Sequence, residues 1–308
     1  MRWAALLLTL AVFAAAPVRG AAETVYLTTV PPIADLLERT VEGRAEVVRL
    51  LPGGASPHTY EPRPSDVRTA EGAAAIVYVD SRLDGWAADL PSARSIRLLG
   101  LVPDSLLLSL PAEVAPGHGH DHGQDHGHDH AHGGEEDGSP GTDPHFWLDP
   151  VAVAAMIPVL AESLAAIDPE GAAVYRRNAA RVAASIDSLH QEIAGILAPF
   201  EGRPVLLSHP FNRYYLRRYG IREAGVIEII PGKEPTAKEL VRVIRSTRES
   251  GAEAIFTLPQ LSGEAARAVE EATGIPVRTL DPLGGSPGRE TYAEILLGMA
   301  RETAEALR

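Results

Sequence analysis

The chain has 308 residues, of which 45% are apolar and 22% charged, and this composition is ordinary for a globular protein of one large or two ordinary domains. The formal net charge of −13 argues against a nucleic-acid-binding protein, because no basic stripe is present to offset phosphates. The absence of cysteine excludes disulfides, thiolate metal ligands and a cysteine-linked lipid anchor.

The first 22 residues predict a secretory signal peptide. Arg2 precedes the apolar run WAALLLTLAVFAAA, and PVRGAA then offers small residues for cleavage after Gly20 or Ala22. The run is shorter than the ~20 residues that a spanning helix needs, and a retained N-terminal anchor is the alternative. Export without disulfides fits a bacterial periplasm, where we expect the mature protein.

From residue 23 to residue 100, β-rich runs alternate with helical patterns. Strands are predicted at TVYLTT (24–29), AEVVRLL (45–51), AAIVYV (74–79) and SIRLLG (95–100), and helices at PPIADLLERTVEG and RLDGWAADL. Continuous apolar strands between helices indicate a parallel sheet covered on both faces. We expect an N-terminal α/β lobe that spans residues 23–168.

Residues 111–143 break this alternation, since Gly, His, Asp, Glu and Pro leave almost nothing to bury, and they predict a disordered surface loop. The stretch GHGHDHGQDHGHDHAHGG (117–134) is a candidate accessory metal loop with His118, His120, His122, His126, His128, His130 and His132. Ordering a mobile chain costs ~1–2 kcal/mol per residue, so we expect it to collect or sense the ion weakly. A loop that merely tolerates insertion is the alternative.

After this loop a helix is predicted to begin near Asp149–Pro150. A longer one follows between Pro169 and Pro199, and we expect a linking helix over residues 169–200. Residues 201–308 repeat the alternation, with strands at RPVLLS, AEAIFTL and PVRTL, an extended segment at IREAGVIEI, and a closing helix at RETYAEILLGMARETAEALR. The fold class predicted is therefore α/β, with two parallel-sheet lobes joined by one long spine helix and a metal site in the cleft between the lobes.

Three of the four histidines outside the loop occupy similar settings. His58 lies just beyond the second strand, His145 in a turn before a helix, and His209 at the end of a strand, while Asp281 also follows a strand directly. The carboxyl ends of parallel strands face the crevice where ligands bind, so these side chains could form one tetrahedral zinc site. Each could instead be a turn or capping residue. The fourth histidine, His190, is expected to be a solvated helical residue.

Four segments in order carry a family resemblance: PGGASPHTYEPRPSD, DPHFWLDP, LLSHPFNRYYLRRYG and LPQLSGEAARAVEEATGIPVRTLDPLG. Over nearly the whole mature chain, the sequence resembles the metal-specific substrate-binding proteins of bacterial ABC importers. The resemblance implies two α/β lobes joined by a long helix, with metal ligands at His58, His145, His209 and Asp281. A histidine as third ligand and a His-rich loop are typical of the zinc branch. Pro57 stands where some zinc binders carry a glutamate, so Glu61 is an alternative fourth ligand.

We therefore expect a protein that performs no reaction, binds Zn²⁺ with high affinity in the periplasm and delivers it to the membrane permease of an ABC importer. A periplasmic zinc chaperone is a further candidate partner, no nucleic acid is expected, and a monomer is expected. The alternatives are the same role for manganese or another divalent metal, a secreted zinc-dependent hydrolase, and a zinc buffer without a transporter. Because zinc needs neutral imidazole, affinity is expected to drop below about pH 6.5, the reference histidine pKa.

Overall fold

A computed structural model describes residues 24–110, 141–228, 234–285 and 287–308 of the chain. The predicted signal peptide and the seven loop histidines lie outside these ranges, so what is said of them remains a prediction. Within the described ranges the chain forms two four-stranded parallel sheets with helices around them, and this confirms the predicted α/β class.

The first sheet has the strand order β2-β1-β3-β4. Its strands are β1 (Thr24–Thr28), β2 (Ala45–Arg49), β3 (Ala75–Tyr78) and β4 (Ser95–Arg97). Its helices are α1 (Pro31–Val41), α2 (Pro64–Glu71), α3 (Ser81–Asp84) and α4 (Pro150–Ile167). The order reverses direction between β1 and β3, and in open α/β sheets such a reversal leaves a ligand crevice at the carboxyl ends of the strands.

The second sheet repeats this arrangement in the order β6-β5-β7-β8. Its strands are β5 (Pro204–Leu207), β6 (Arg222–Val226), β7 (Ala254–Thr257) and β8 (Val277–Thr279). Its helices are α6 (Arg213–Arg218), α7 (Ala237–Ser250), α8 (Glu264–Thr273) and α9 (Tyr292–Ala306). The repeat of the strand order gives the second sheet its own crevice, between β5 and β7.

Helix α5 (Ala172–Leu197) connects the two halves of the chain. Its 26 residues correspond to about 39 Å, and short 3-10 turns at Pro169–Gly171 and Ala198–Phe200 extend the helical path to the predicted limits. It packs against α4, α1 and α9, so one side faces helices from both halves. The predicted spine helix is confirmed.

Alternate strand residues enter different cores, which explains the continuous apolar runs in the sequence. Val77 of β3 and Phe256 of β7 belong to a large core that also contains the buried face of α5. Ile76 and Ile255, one position earlier, pack on the opposite faces of their sheets in two smaller cores. Each sheet is therefore covered on both sides, as the strand composition predicts.

Helix α4 is long and apolar enough to cross a membrane, judged only by its 18 residues and its composition. Half of it is buried inside the protein, and its main packing partner is α5. That packing accounts for its apolar composition.

Two segments differ from the sequence predictions. Helix α2 was not predicted, although Pro64 at its first position and Asp66, whose carboxylate accepts the N–H of Arg63 (2.7 Å), are ordinary start signals. The expected disordered loop 111–143 was wrong in its last three residues. Backbone hydrogen bonds join residues 141–143 to residues 108–110. This pairing orders the polar stretch, although it has few apolar side chains to bury.

His190 also differs from its prediction. It is half-buried on α5 instead of solvated, and its Nδ1 lies 3.3 Å from the hydroxyl of Tyr219. The ring of Tyr219 lies beside that of His190 with 5.7 Å between the centroids, which explains the lost exposure.

Candidate metal centre

Three histidines from distant parts of the chain meet in the cleft between the sheets. His58 lies between β2 and α2, in the first half of the fold. His145 immediately precedes the 3-10 turn Phe146–Leu148 that leads into α4. His209 follows β5, and its backbone is still extended before Pro210 opens the next turn. The end of β5 thus positions His209 and the turn before α4 positions His145, whereas His58 lies in the loop between β2 and α2.

The three imidazole rings form a nearly equilateral triangle, with centroid separations of 5.5, 5.6 and 5.6 Å. Each ring offers a nitrogen, and these three nitrogens all lie within 4.8 Å of one another. A point central to such a triangle lies no more than about 2.8 Å from each nitrogen, so adjustments below ~1 Å give the 2.0–2.1 Å of a zinc–imidazole bond. The geometry suits a small dication.

Burial keeps two of these imidazoles uncharged. Burial first, and then the neighbouring His145, together lower the pKa of His58 from 6.5 to about 3. The pKa of His209 lies well below 6.5 for the same reasons, burial first and then the two neighbouring imidazoles. A neutral ring has a free lone pair, so both groups are ready to bind a metal at neutral pH.

His145 is oriented by Asp143. The Nδ1 of His145 lies 2.8 Å from the Oδ1 of Asp143, and the backbone N–H of His145 donates to the same oxygen (3.0 Å). Asp143 is fully buried. A carboxylate on Nδ1 makes that nitrogen the donor and leaves Nε2 as the lone pair, and this arrangement is common for metal-binding histidines.

His209 has no such partner. Neither of its ring nitrogens makes a hydrogen bond of standard geometry within the described residues, although the residue is only 4% exposed, and the nearby backbone of Glu228 only partly opposes the lowering of its pKa. A buried polar atom without a partner costs about 1–3 kcal/mol. Binding a metal through one of these nitrogens would offset part of that cost, and this offset favours metal binding at the site.

Apolar side chains surround the three histidines. The cleft is lined by Leu83, Trp147, Phe211, Leu258 and Leu283, and the rings of Trp147 and His145 are 5.4 Å apart. Such walls limit water and strengthen electrostatic attraction to an ion.

A fourth donor is less defined than the three imidazoles. Asp281 is buried just after β8, and its Oδ1 accepts the N–H groups of Leu283 (3.2 Å) and Gly284 (2.9 Å). Within the described ranges, neither this carboxylate nor that of the exposed Glu61 joins the group of mutually close ligand atoms. Gln260 also lines the cleft, and its buried Oε1 has no hydrogen-bond partner in those ranges.

A family model described as "ZnuA: Zinc-uptake complex component A periplasmic" matches residues 27–307. The chain belongs to this family. The zinc-uptake family is a family of periplasmic transport components, which confirms the predicted non-enzymatic class and makes the hydrolase alternative wrong.

Individual relatives agree with the family. The "High-affinity zinc uptake system protein ZnuA" of Paracoccus denitrificans is 33% identical over 316 aligned residues, which cover 96% of this chain and 94% of that protein. The "Zinc-binding protein AdcA" of Streptococcus pyogenes is 25% identical over 92% of this chain, which spans only 55% of AdcA.

Solved structures of the same family share the fold. A crystal structure of ZnuA superposes with a TM-score of 0.74 at 26% identity, covering 93% of this chain and all of that one. A zinc-bound deletion mutant of ZnuA superposes with a TM-score of 0.71 at 26% identity, covering 93% of this chain and 98% of that one. These likenesses extend across both sheets and the spine helix of the zinc-uptake fold.

Asp143 was missed at the level of sequence. It stands at the end of a low-complexity stretch rich in Gly, His and Asp, and the apolar residues Phe146 and Trp147 begin only after His145. The only signal is its position two residues before His145, and a carboxylate so close to a ligand is suited to hold that ligand's ring.

Proposed function

We propose that this protein captures one Zn²⁺ in the cleft between its two sheets and delivers it to the membrane permease of an ABC importer. The observation that carries the proposal is the triangle of His58, His145 and His209, whose ligand nitrogens lie within 4.8 Å of one another. Three separate segments supply these rings, and the binding of one metal ion by all three rings explains why these segments converge.

The donor set favours zinc over harder cations. Neutral imidazole nitrogens suit Zn²⁺, whereas manganese prefers more carboxylate oxygen. The depressed pKa values of His58 and His209 keep both nitrogens available. Tetrahedral zinc then needs only one further donor.

We propose Asp281 as that donor. It is buried and directly follows a strand of the second sheet, and backbone N–H groups already hold one of its oxygens in place. The exposed Glu61 would have to move farther, and it is the alternative. Asp281→Asn should weaken zinc binding more than Glu61→Gln, as measured by competition with a chelator, and the reverse order would assign the position to Glu61.

The His-rich loop is proposed to act as an accessory collector of zinc. Leu110 and Gly141, the described residues on either side of residues 111–140, share a backbone hydrogen bond. Gly141 is four residues before His145, so the His-rich segment is joined to the chain close to one proposed ligand. Tethering raises the local concentration of ions that the loop binds weakly. Deletion of residues 117–134 should leave the tightest site intact, and its loss would refute this role.

We also propose that residues 1–22 direct export to the periplasm, that the mature chain is monomeric, and that a periplasmic zinc chaperone is a further candidate partner. Light scattering on the purified mature chain tests the monomer. Zinc-dependent growth of cells that lack the gene, with and without the His209→Ala chain, tests the transport role.

The direct test of the metal site is a crystal grown with zinc, in which anomalous scattering at the zinc edge should place one ion among the three imidazoles. Calorimetry should give one tight site, and His209→Ala should abolish it without unfolding the protein. Unchanged binding in that variant would contradict the proposed function.

A further inference from the structure

The carboxylate of Asp143 lies between a metal-binding histidine and the other half of the fold. Its Oδ1 accepts from the Nδ1 of His145 (2.8 Å), and its Oδ2 lies 3.7 Å from the Nη1 of Arg213. Asp143 has no exposed side-chain surface, and Arg213 retains 21%. The positively charged guanidinium of Arg213 therefore faces the Asp143 carboxylate from the second half of the fold.

Arg213 is itself held in place from both sides of the cleft. Its Nε donates to Glu223 of β6 (2.9 Å), within the second half of the fold. Its Nη1 donates to the carbonyl oxygen of Ser109 (2.8 Å), in the first half. Because these bonds use two different nitrogens, the plane of the guanidinium is fixed relative to both halves.

Tyr214 makes a second connection between the same segments. Its hydroxyl donates to the backbone carbonyl of Asp143 (2.9 Å) and accepts the N–H of Leu108 (3.0 Å). Arg213 and Tyr214 are the first two residues of α6, which begins four residues after His209. The segment that bears one ligand is therefore joined directly to the segment that bears another.

We infer that Asp143 and Arg213 are positioning residues of the metal centre. Asp143 holds the His145 ring with Nε2 toward the ion. Arg213, anchored beside His209, attracts the Asp143 carboxylate through its charge, since Oδ2 makes no hydrogen bond within the described residues. The spacing between the two ligands is thus set before an ion arrives, through two contacts that touch no metal. Pre-set spacing raises affinity because less ordering remains to be done on binding. This inference rests on the proposed zinc binding.

The chain offers a matched control in Arg218 and Asp149. Arg218 lies on the same helix α6, and it makes a two-pronged bond to Asp149 at the start of α4 (2.7 and 2.6 Å). This pair also joins the two halves of the fold and is similarly buried, with 27% and 5% of the side chains exposed. It makes no hydrogen bond to any of the three histidines among the described residues, so it reports the general cost of losing an ion pair across the cleft.

The experiment compares Asp143→Asn, Arg213→Gln, the double variant and Arg218→Gln in the full mature chain. Zinc affinity is measured by competition with a chelator, folding by thermal unfolding without metal, and ligand geometry by the visible spectrum of the Co²⁺ form. We expect Asp143→Asn to lose on the order of 10-fold in zinc affinity and Arg213→Gln about 3-fold or more, both with an altered Co²⁺ spectrum. Arg218→Gln should lower the melting temperature yet keep zinc affinity within about twofold and the Co²⁺ spectrum unchanged.

The double variant tests whether Arg213 acts through Asp143. If it does, adding Arg213→Gln to Asp143→Asn costs less affinity than Arg213→Gln costs alone. Full additivity, or an equal loss of affinity in Arg218→Gln, would overturn the inference. Weak zinc binding by the wild-type chain, or no loss in His209→Ala, would instead refute the proposed function. Wild-type affinity in both the Asp143 and Arg213 variants would sink only the positioning role.

Discussion

The indole nitrogen of Trp147 donates a hydrogen bond to the carbonyl oxygen of Pro282, at 3.1 Å. Trp147 follows His145 by two residues, and Pro282 immediately follows Asp281, so this bond joins two proposed ligand segments that are 135 residues apart in the chain. The backbone carbonyl of Trp147 in turn accepts the hydroxyl of Tyr292 (2.8 Å). Trp147, from the first half of the fold, is thus joined by two hydrogen bonds to residues of the second half.

Replacing Trp147 with Phe should therefore weaken both folding and zinc binding. The change leaves the Pro282 carbonyl without its donor and shrinks a fully buried side chain, and we expect a loss of about 2 kcal/mol or more in the free energy of unfolding. Zinc affinity should fall severalfold as Asp281 becomes less constrained. Tyr215→Phe is the control, since it removes a buried hydroxyl bond to Leu296 within the second half. Equal zinc affinity in the two variants would argue against a role for the Trp147 bond.

His209→Leu should stabilise the zinc-free protein while abolishing zinc binding. Leucine is close to histidine in size and removes two buried nitrogens that have no partner in the described part of the chain. Relief of that cost should raise the melting temperature of the metal-free protein by about 2 °C or more. The stabilisation that added zinc gives the wild type should disappear. A lower melting temperature of the metal-free variant would show that the buried His209 ring does not destabilise the zinc-free protein.

The stability of the zinc-free protein should fall as the pH drops below 6.5. His58, with a pKa of about 3, stays neutral in the folded state, whereas in the unfolded chain it takes up a proton near pH 6.5. The unfolded state then binds more protons, so folding loses free energy until the pH approaches 3. Thermal unfolding across pH 7.5 to 4.5 measures this slope. It should be shallower in His58→Ala, and identical slopes in the wild type and this variant would contradict the assignment.

The same shift revises the expected pH dependence of zinc binding. Proton competition near pH 6.5 applies to solvated histidines, but burial lowers the pKa values of His58 and His209 well below that value. We therefore expect the cleft site to retain zinc to a lower pH than solvated histidines would. Calorimetry at pH 7.0 and 5.5 on the wild type and on the chain without residues 117–134 separates zinc bound in the cleft from zinc bound by the His-rich segment. A tight site that vanishes by pH 6 would refute this expectation.

The bond between Arg44 and Asp168 should contribute more to stability than its exposed counterpart. Arg44 donates to both oxygens of Asp168 (2.7 and 2.6 Å) at the start of the spine helix, and this bonding lowers the pKa of Asp168 to about 2. Arg176 and Glu162 make a similar two-pronged pair in the open, with both side chains 57% exposed.

Asp168→Asn should therefore lower the melting temperature about twofold more than Glu162→Gln, because solvent weakens the exposed pair. The difference should vanish as the pH falls from 4 toward 2, where the carboxylate of Asp168 takes up its proton. Equal losses in the two variants at pH 7 would place both pairs among weak surface interactions.

Much of the fold follows from local patterns in the sequence. The apolar runs at Ala75–Tyr78 and Ala254–Thr257 are fully buried strands, and their composition alone predicts sheets covered on both faces. The spine helix was delimited by Pro169 and Pro199, because proline starts and ends helices for steric reasons. For His209, which directly follows β5, the topology of parallel sheets predicts a position facing the crevice, whereas His58 reaches the same point from a long loop after β2.

What could not be predicted depends on contacts between distant segments. Asp143 and Arg213 are 70 positions apart, and no local sequence pattern around either residue predicts their contact. Asp143 looked like part of a polar loop, because burial through backbone pairing with residues 108–110 leaves no apolar signature. The fourth donor remains a proposal for a related reason, since Oδ1 of Asp281 is placed by N–H groups two and three residues further along.

The wide separation of the three histidines along the chain sets an order of events during biogenesis. Successive proposed ligands are 87 and 64 residues apart, so an unfolded chain does not hold them together as one site. On the proposed function, zinc capture therefore follows the folding of both sheets and of the turn that bears His209. A chain that ends before His209 would lack one corner of the triangle, and it is expected to bind zinc only weakly.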